Sequence, residues 1–163
     1  MSRHDVTEQD LIHLRRCVEL AERALEVGDE PFGSVLVSAD GEVLVEDHNH
    51  VSGGDRTRHP ELAIALWAVE HLSPEERARG TVYTSGEHCP MCAAAHGWVG
   101  LGRIVVATTS EQLTGWLAEL GVPPGPVAPL PITTVVPSAV VAGPVPELTE
   151  PMRALHARFH GGR

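Results

Sequence analysis

TVYTSGEHCPMCAAAHGWVGLGRIVVAT, residues 81–108, carries the alternation that decides the fold. Thr81 to Thr84 reads as a buried strand, Pro90 to Trp98 as a helix, and Arg103 to Thr108 as another strand. The alternation continues beyond it. Gln112 to Leu120 reads as a helix, a Pro-rich connector runs from Val122 to Pro131, and Ile132 to Val136 offers a fifth strand. A helix between the last two strands implies a parallel crossover, because antiparallel neighbours need only a short turn.

On the N-terminal side, PELAIALWAVEHL after His59 is a helical run with Pro60 at the first position, where its missing N–H costs nothing. That helix stops before Ser73 and Pro74. Ser34 to Val37 and Glu42 to Val45 flank the turn pair Asp40 and Gly41, which suits an antiparallel hairpin. His50 to Arg58 reads as a loop. Leu11, Leu14, Val18 and Leu25 recur at helical spacing, predicting an amphipathic first helix that Gly28 ends. The fold class is therefore α/β with a mixed five-stranded sheet whose last two strands are parallel. The expected organisation is one domain over 1–163, with a core of about 8–137 and a tail over 138–163 in which Pro146 to Phe159 forms a final helix.

The 163 residues suffice for a single core. Acidic residues number 22 against 12 basic ones, all Arg, for a formal charge of -10. Phosphate backbones are bound by clustered Lys and Arg that release counterions, so nucleic acid is a disfavoured partner. Three cysteines, two of them three positions apart, argue for a metal or redox pair over a disulfide framework, and a reducing cytoplasm suits them. No stretch approaches the ~20 apolar residues of a membrane span. The expectation is a cytoplasmic protein without a membrane partner.

Cys89 and Cys92 flank Pro90 and Met91 at a helix start, where the positive helix end favours thiolates. His59 lies at the start of the other central helix, so two parallel helices would place an imidazole beside two sulfurs, a donor set that suits zinc. Structural zinc sites usually close with four protein ligands, whereas catalytic ones keep a position open, and three ligands imply an open site. Glu61, two residues after His59, is then placed as general acid and base. Two thiolates blunt the acidifying effect of zinc on water, which increases the need for such a carboxylate. Two alternatives stand beside this: a redox dithiol, and a closed structural site in which His96, four residues after Cys92, is the fourth ligand. Cys17 reads as core. Phe32 and Trp98 are either packing or stacking surfaces for a flat ring. Asn49, the chain's single Asn, reads as a turn residue after a strand.

The HxE triplet followed thirty residues later by CxxC matches the zinc deaminase signature. With PFGSVLV at 31–37, Asn49, the DxTxHxE pattern at 55–61 and EHCPMC at 87–92, the chain resembles the cytidine deaminase-like superfamily, in particular the branch of guanine deaminases and bacterial tRNA adenosine deaminases. The resemblance implies a three-layer α/β/α fold and zinc held by His59, Cys89 and Cys92. It also implies proton shuttling by Glu61, a substrate hydrogen bond from Asn49, a base pocket including Phe32 and Trp98, and a homodimer. Two positions depart from the pattern: His88 stands where Pro is usual, and Pro60 offers no N–H to a substrate. Guanine deaminases use a second acidic residue, for which Glu119 and then Glu111 are the candidates, and Phe159 is the candidate for an aromatic tail covering the site. The leading functional expectation is hydrolytic deamination of a free base or related aminated heterocycle such as guanine, cytosine or an amino-triazine. The alternatives are a tRNA adenosine deaminase, which should carry a basic groove, and a structural zinc module.

Overall fold

The computed structural model describes residues 2–161. Helix α1 (Glu8–Glu26) starts at a capping box in which Thr7 Oγ1 accepts from the Asp10 amide and the Asp10 carboxylate accepts from the Thr7 amide. Asp10 also receives the Tyr83 hydroxyl and pairs with Arg103, which ties the helix start to the sheet. Strands β1 (Gly33–Val37) and β2 (Val43–His48) form the expected hairpin. Then come α2 (Pro60–His71), α3 (Pro74–Arg79), β3 (Thr81–Thr84), α4 (Pro90–Val99), β4 (Ile104–Val106), α5 (Ser110–Glu119), α6 (Ile132–Val135), β5 (Val141–Ala142) and α7 (Pro146–Gly161). The sheet order is β2-β1-β3-β4-β5, with β1 antiparallel to both neighbours and the β3–β4 and β4–β5 pairs parallel.

The two-residue period of the strands sorts their side chains between two cores. Val35, Val37, Tyr83 and Val105 face Leu14, Cys17 and Leu20 of α1 and Leu148 of α7. Their neighbours Leu36 and Val82 face Ile64, Ala65 and Ala68 of α2, and Ile104 and Val106 face Ala93 of α4 and Ile132 of α6. This is a three-layer α/β/α arrangement. Gly33 sits where β1 meets α1: an added Cβ would lie 2.5 Å from both Cys17 O and Leu20 Cβ. That close approach fixes where β1 begins and hence where Phe32, one residue earlier, stands.

One expectation needs correction. The apolar run Ile132–Val136 is not the fifth strand but, for its first four residues, the short helix α6, and β5 follows at Val141–Ala142. Pro131 precedes it, and the Ile132 amide is taken by the Glu87 carboxylate at 2.8 Å, so packing against α4 overrides the β-branched preference. Ser73 and Pro74 end α2 but also begin α3, through a capping box between Ser73 and Glu76. Beyond residue 137, β5 completes the sheet, and the helix expected over Pro146 to Phe159 forms as α7, which buries Leu148, Met152, Leu155 and His156.

Candidate active site

The metal-ligand candidates occupy equivalent places on two packed helices. His59 is the N-cap of α2 and Cys89 the N-cap of α4, each followed by proline in the first helical turn. Upstream of His59, the Asp55 carboxylate accepts from the Thr57 amide (2.9 Å) and hydroxyl (2.6 Å), a tight turn that delivers the His59 amide to the Thr57 carbonyl at 2.7 Å. Cys92 comes one turn into α4 and is wholly buried.

His59 Nδ1 lies 3.5 Å from the Sγ of Cys89 and 3.5 Å from that of Cys92, and the three donor atoms are all within 4.8 Å of one another. A tetrahedral zinc with Zn–S of about 2.3 Å and Zn–N of about 2.0–2.1 Å requires N and S about 3.6 Å apart. One nitrogen and two sulfurs at that spacing fit zinc in distance and in softness, and leave a fourth position open. Cys89 is held down to about 4, chiefly by the hydrogen bond from Cys92 and also by His59, against the opposing effect of burial. The Cys92 thiol is pushed up by that hydrogen bond and by burial. All three cysteines are free thiols.

Glu61, in the first turn of α2, is 6% exposed, and burial pushes its carboxyl up to about 7. Its Oε1 is 3.1 Å from the Ser34 hydroxyl, which is also 3.0 Å from Thr84 Oγ1, and the Thr84 hydroxyl donates to the Gly86 carbonyl at 2.7 Å. The sheet thus holds the catalytic-candidate carboxylate through a hydroxyl pair on β1 and β3. Ser34 was not singled out from the sequence, where it is one polar residue inside an apolar strand; that interruption is the signal.

A cavity of about 500 Å³ opens beside the triad, with His59, Glu61, Cys89 and Phe32 at its base and Pro60 on its wall. Its outer walls come from α5 and the Pro-rich segment 122–131. Glu87, two residues before Cys89, joins both walls: one carboxylate oxygen accepts from the Ser110 amide at 3.0 Å and the other from the Ile132 amide at 2.8 Å. Phe32 packs edge-on against His156 of α7, ring centroids 5.1 Å apart. Asn49 is buried behind Phe32 and does not line the cavity; its backbone amide donates to the Phe32 carbonyl at 3.0 Å, its side-chain Nδ2 donates to the Glu30 carbonyl at 3.4 Å, and its Oδ1 has no hydrogen-bond partner among the described residues.

Other candidates fall elsewhere. Trp98 is 91% exposed on α4 and does not line the cavity of its own chain, because the buried face of that helix is used by Cys92, Ala93 and His96. Glu119 pairs with Arg153 at 2.7 Å on the surface, Glu111 is exposed, and neither lines the cavity; nor does Phe159. His96 Nε2 donates to the Gly102 carbonyl at 2.8 Å and stays outside the metal-ligand group, so the closed four-ligand site is not formed. His88 is buried edge-on against the His96 ring and shapes the turn from inside without lining the cavity.

Residues 7–108 match the model of the cytidine and deoxycytidylate deaminase zinc-binding region. The chain belongs to the cytidine and deoxycytidylate deaminase family. It is a hydrolytic deaminase of cyclic amidine C–N bonds with zinc as cofactor, and this sets aside both the redox dithiol and the structural zinc module. It is 33% identical over 114 residues to the "Probable cytosine deaminase" of Schizosaccharomyces pombe, covering 69% of this chain and 68% of that protein. It is 33% identical over 88 residues to the tRNA-specific adenosine deaminase of Bacillus subtilis, covering 53% of this chain and 54% of that one. The chain thus spans about two thirds of the first relative's length and about half of the second's. The guanine deaminase structure from Nitrosomonas europaea superposes with a TM-score of 0.68 at 18% identity, over 96% of this chain and 86% of that one, a likeness of fold. The deaminase assignment is common to these relatives, and their substrates differ. Among the described residues no helix is long and apolar enough to cross a membrane.

Proposed function

We propose that the chain deaminates a free base or related small aminated heterocycle, of the guanine, cytosine or amino-triazine type, and releases ammonia. The observation that carries this reading is the cavity itself, which joins His59, Cys89, Glu61 and Phe32 and has no Arg among its described lining residues, in a chain without Lys and with a formal charge of -10. A polyanion such as an anticodon stem would meet no compensating charge there. His59, Cys89 and Cys92 would hold the zinc, which when bound would supply Lewis-acid activation of a water molecule, an effect that two thiolates moderate. Glu61 takes a proton from the attacking water and gives it to the ring nitrogen as the C–O bond forms. The same carboxyl then moves the remaining hydroxyl proton to the amino group, the C–N bond breaks, and a carbonyl and ammonia leave. Phe32 provides a face for the ring, and the buried Asn49 behind it would need its Oδ1 to turn toward the cavity to accept a hydrogen bond from a substrate. With Pro60 in place, no amide is offered from the residue between His59 and Glu61.

The test is ammonia release across purines, pyrimidines, nucleosides, pterins and triazines, beside an adenosine-bearing anticodon stem-loop. Turnover of a free heterocycle supports the reading. Conversion of adenosine to inosine in the stem-loop, with no action on any free ring, would overturn it. Leu66 (58% exposed) and Val69 (50%) on α2 and Trp98 on α4 leave apolar side chains on the outer layer, which supports pairing with a second copy of the chain. Light scattering of the intact protein and of Trp98→Glu checks that pairing: the variant should shift toward monomer.

A further inference from the structure

The cavity is larger than the chemistry needs. At about 500 Å³ it lies in the range that takes a drug-sized ligand, whereas a single heterocycle need occupy only the end beside His59, Glu61 and Phe32. Beyond that end the walls are Leu113 and Leu117 of α5 facing Val122, Pro123 and Val127 of the connecting segment. Five of the ten residues in 122–131 are proline and have no N–H to donate. Of the five remaining amides, Val122 donates to the Leu117 carbonyl at 2.9 Å and Leu130 to the Ala128 carbonyl at 2.9 Å, which leaves those of Gly125, Val127 and Ala128 as the donors of a ten-residue wall. The Glu87 carboxylate, which also borders the cavity, has both oxygens engaged by the Ser110 and Ile132 amides. Along Leu113, Leu117, Val122, Pro123 and Val127 a sugar or a phosphate would meet mostly carbon, with the Ser110 and Thr114 hydroxyls of α5 as the side-chain polar groups nearby, whereas an apolar group would lose nothing there.

The wall is also fixed in place before any ligand arrives. The segment is tied to α5 at Val122, is held by Glu87 at Ile132, and is stiffened by its prolines, so little ordering cost falls on binding. We propose that the preferred substrate carries an alkyl or aryl substituent on the ring edge remote from the amino group, lodged between Leu113 and Leu117 on one side and Val122 and Val127 on the other. This rests on the deaminase reading above and names its substrate class, with Leu117 and Val127 as specificity-determining residues.

Zinc-replete protein is offered cytosine, guanine, adenine and an amino-triazine, each bare and with a butyl group remote from the amine, and the three bases also as ribosides. For whichever ring is turned over, kcat/KM for the butyl derivative should exceed that of the bare ring and of the riboside by at least about tenfold. Leu117→Asn and Val127→Asn should each shrink that ratio several-fold, and the butyl derivative should bind Glu61→Gln protein more tightly than the bare ring by calorimetry. A bare ring or riboside that is processed as well as its butyl counterpart overturns the inference and leaves the deaminase reading standing. Absence of ammonia from every compound, with none bound by Glu61→Gln protein, overturns both.

Discussion

At the scale of the residue, the metal-ligand group and the proton-moving role proposed for Glu61 make different demands on their side chains, and substitutions should separate them. Cys92 is wholly buried, and its sulfur lies 3.5 Å from His59 Nδ1. Cys92→Ala is expected to release zinc and lower the melting temperature together, because ligand binding free energy is coupled to folding; metal analysis and a thermal melt on the same sample check it. Glu61→Gln keeps size and hydrogen-bonding shape but cannot carry a proton, so zinc content should stay near one per chain while kcat falls at least ~100-fold. Ser34→Ala removes the hydroxyl 3.1 Å from Glu61 Oε1. The expected result is a fall in kcat of about tenfold with KM little changed, the worth of one hydrogen bond to a charged group; an equal rise in KM would assign Ser34 to substrate binding instead. The two ligand cysteines and the HxE triplet were readable from spacing because their chemistry requires them close in sequence. Ser34 and Glu87 were not, because what defines them is contact with groups 27 and 45 residues away. Trp98 has a side chain that suits a ring-stacking surface, but its place on α4 turns it outward, away from the cavity of its own chain.

At the scale of the element, the order of helices and strands through β4, apart from α3, follows from local pattern, since each run shows its own period and its own stop. The failures fall where one local signal serves two ends or where packing overrides propensity. Ser73 and Pro74 stop one helix and cap the next, and the S-x-x-E spacing to Glu76 was present in the sequence to say so. Ile132–Val135 has strand-forming composition but turns helical against α4, with its first amide on Glu87, a contact no window of the sequence contains. The junction of β1 with α1 shows the same dependence on distant contact, and it is testable. Gly33→Ala puts a methyl 2.5 Å from Cys17 O and Leu20 Cβ and 2.9 Å from the Ala21 amide, so strand and helix must separate. Overpacking of this kind costs roughly 1–3 kcal/mol, which in a chain of this length lowers the melting temperature by about 2–12 °C. Differential scanning calorimetry measures it, and an unchanged melt would mean that α1 yields freely.

At the scale of the whole molecule, α7 closes the layer opposite α2 and reaches the cavity wall through His156, which lies 5.1 Å from the Phe32 ring and 6.1 Å from that of Trp116. His156 is 1% exposed, and burial, with a smaller effect from His160, pushes its imidazole down to about 4 from an ordinary 6.5. The folded state therefore holds this ring neutral while the unfolded chain protonates it, so between pH 6.5 and about 4 the unfolded state binds more protons and stability falls as pH falls. A difference of that size is worth up to about 3 kcal/mol, fully present above pH 6.5 and lost by about pH 4. His13, His88 and His96 are also lowered, chiefly by burial, and act in the same direction. Asp10, held down to about 2 by Arg103, Thr7 and Tyr83 against burial, loses its contribution only below its ordinary 3.8, outside that window. The His156 share is isolated by His156→Leu, which keeps an apolar side chain against Phe32 and Trp116 but cannot titrate. Urea midpoints at pH 7.5, 6.5, 5.5 and 4.5 should fall steeply for the unmodified chain and less steeply for the variant: if leucine packs as well as the neutral imidazole the curves meet at pH 7.5 and part toward pH 4.5, and if it packs worse they part at pH 7.5 and converge toward pH 4.5. Parallel curves across the whole range would mean that His156 is not held neutral by the fold and that α7 does not couple acid to stability.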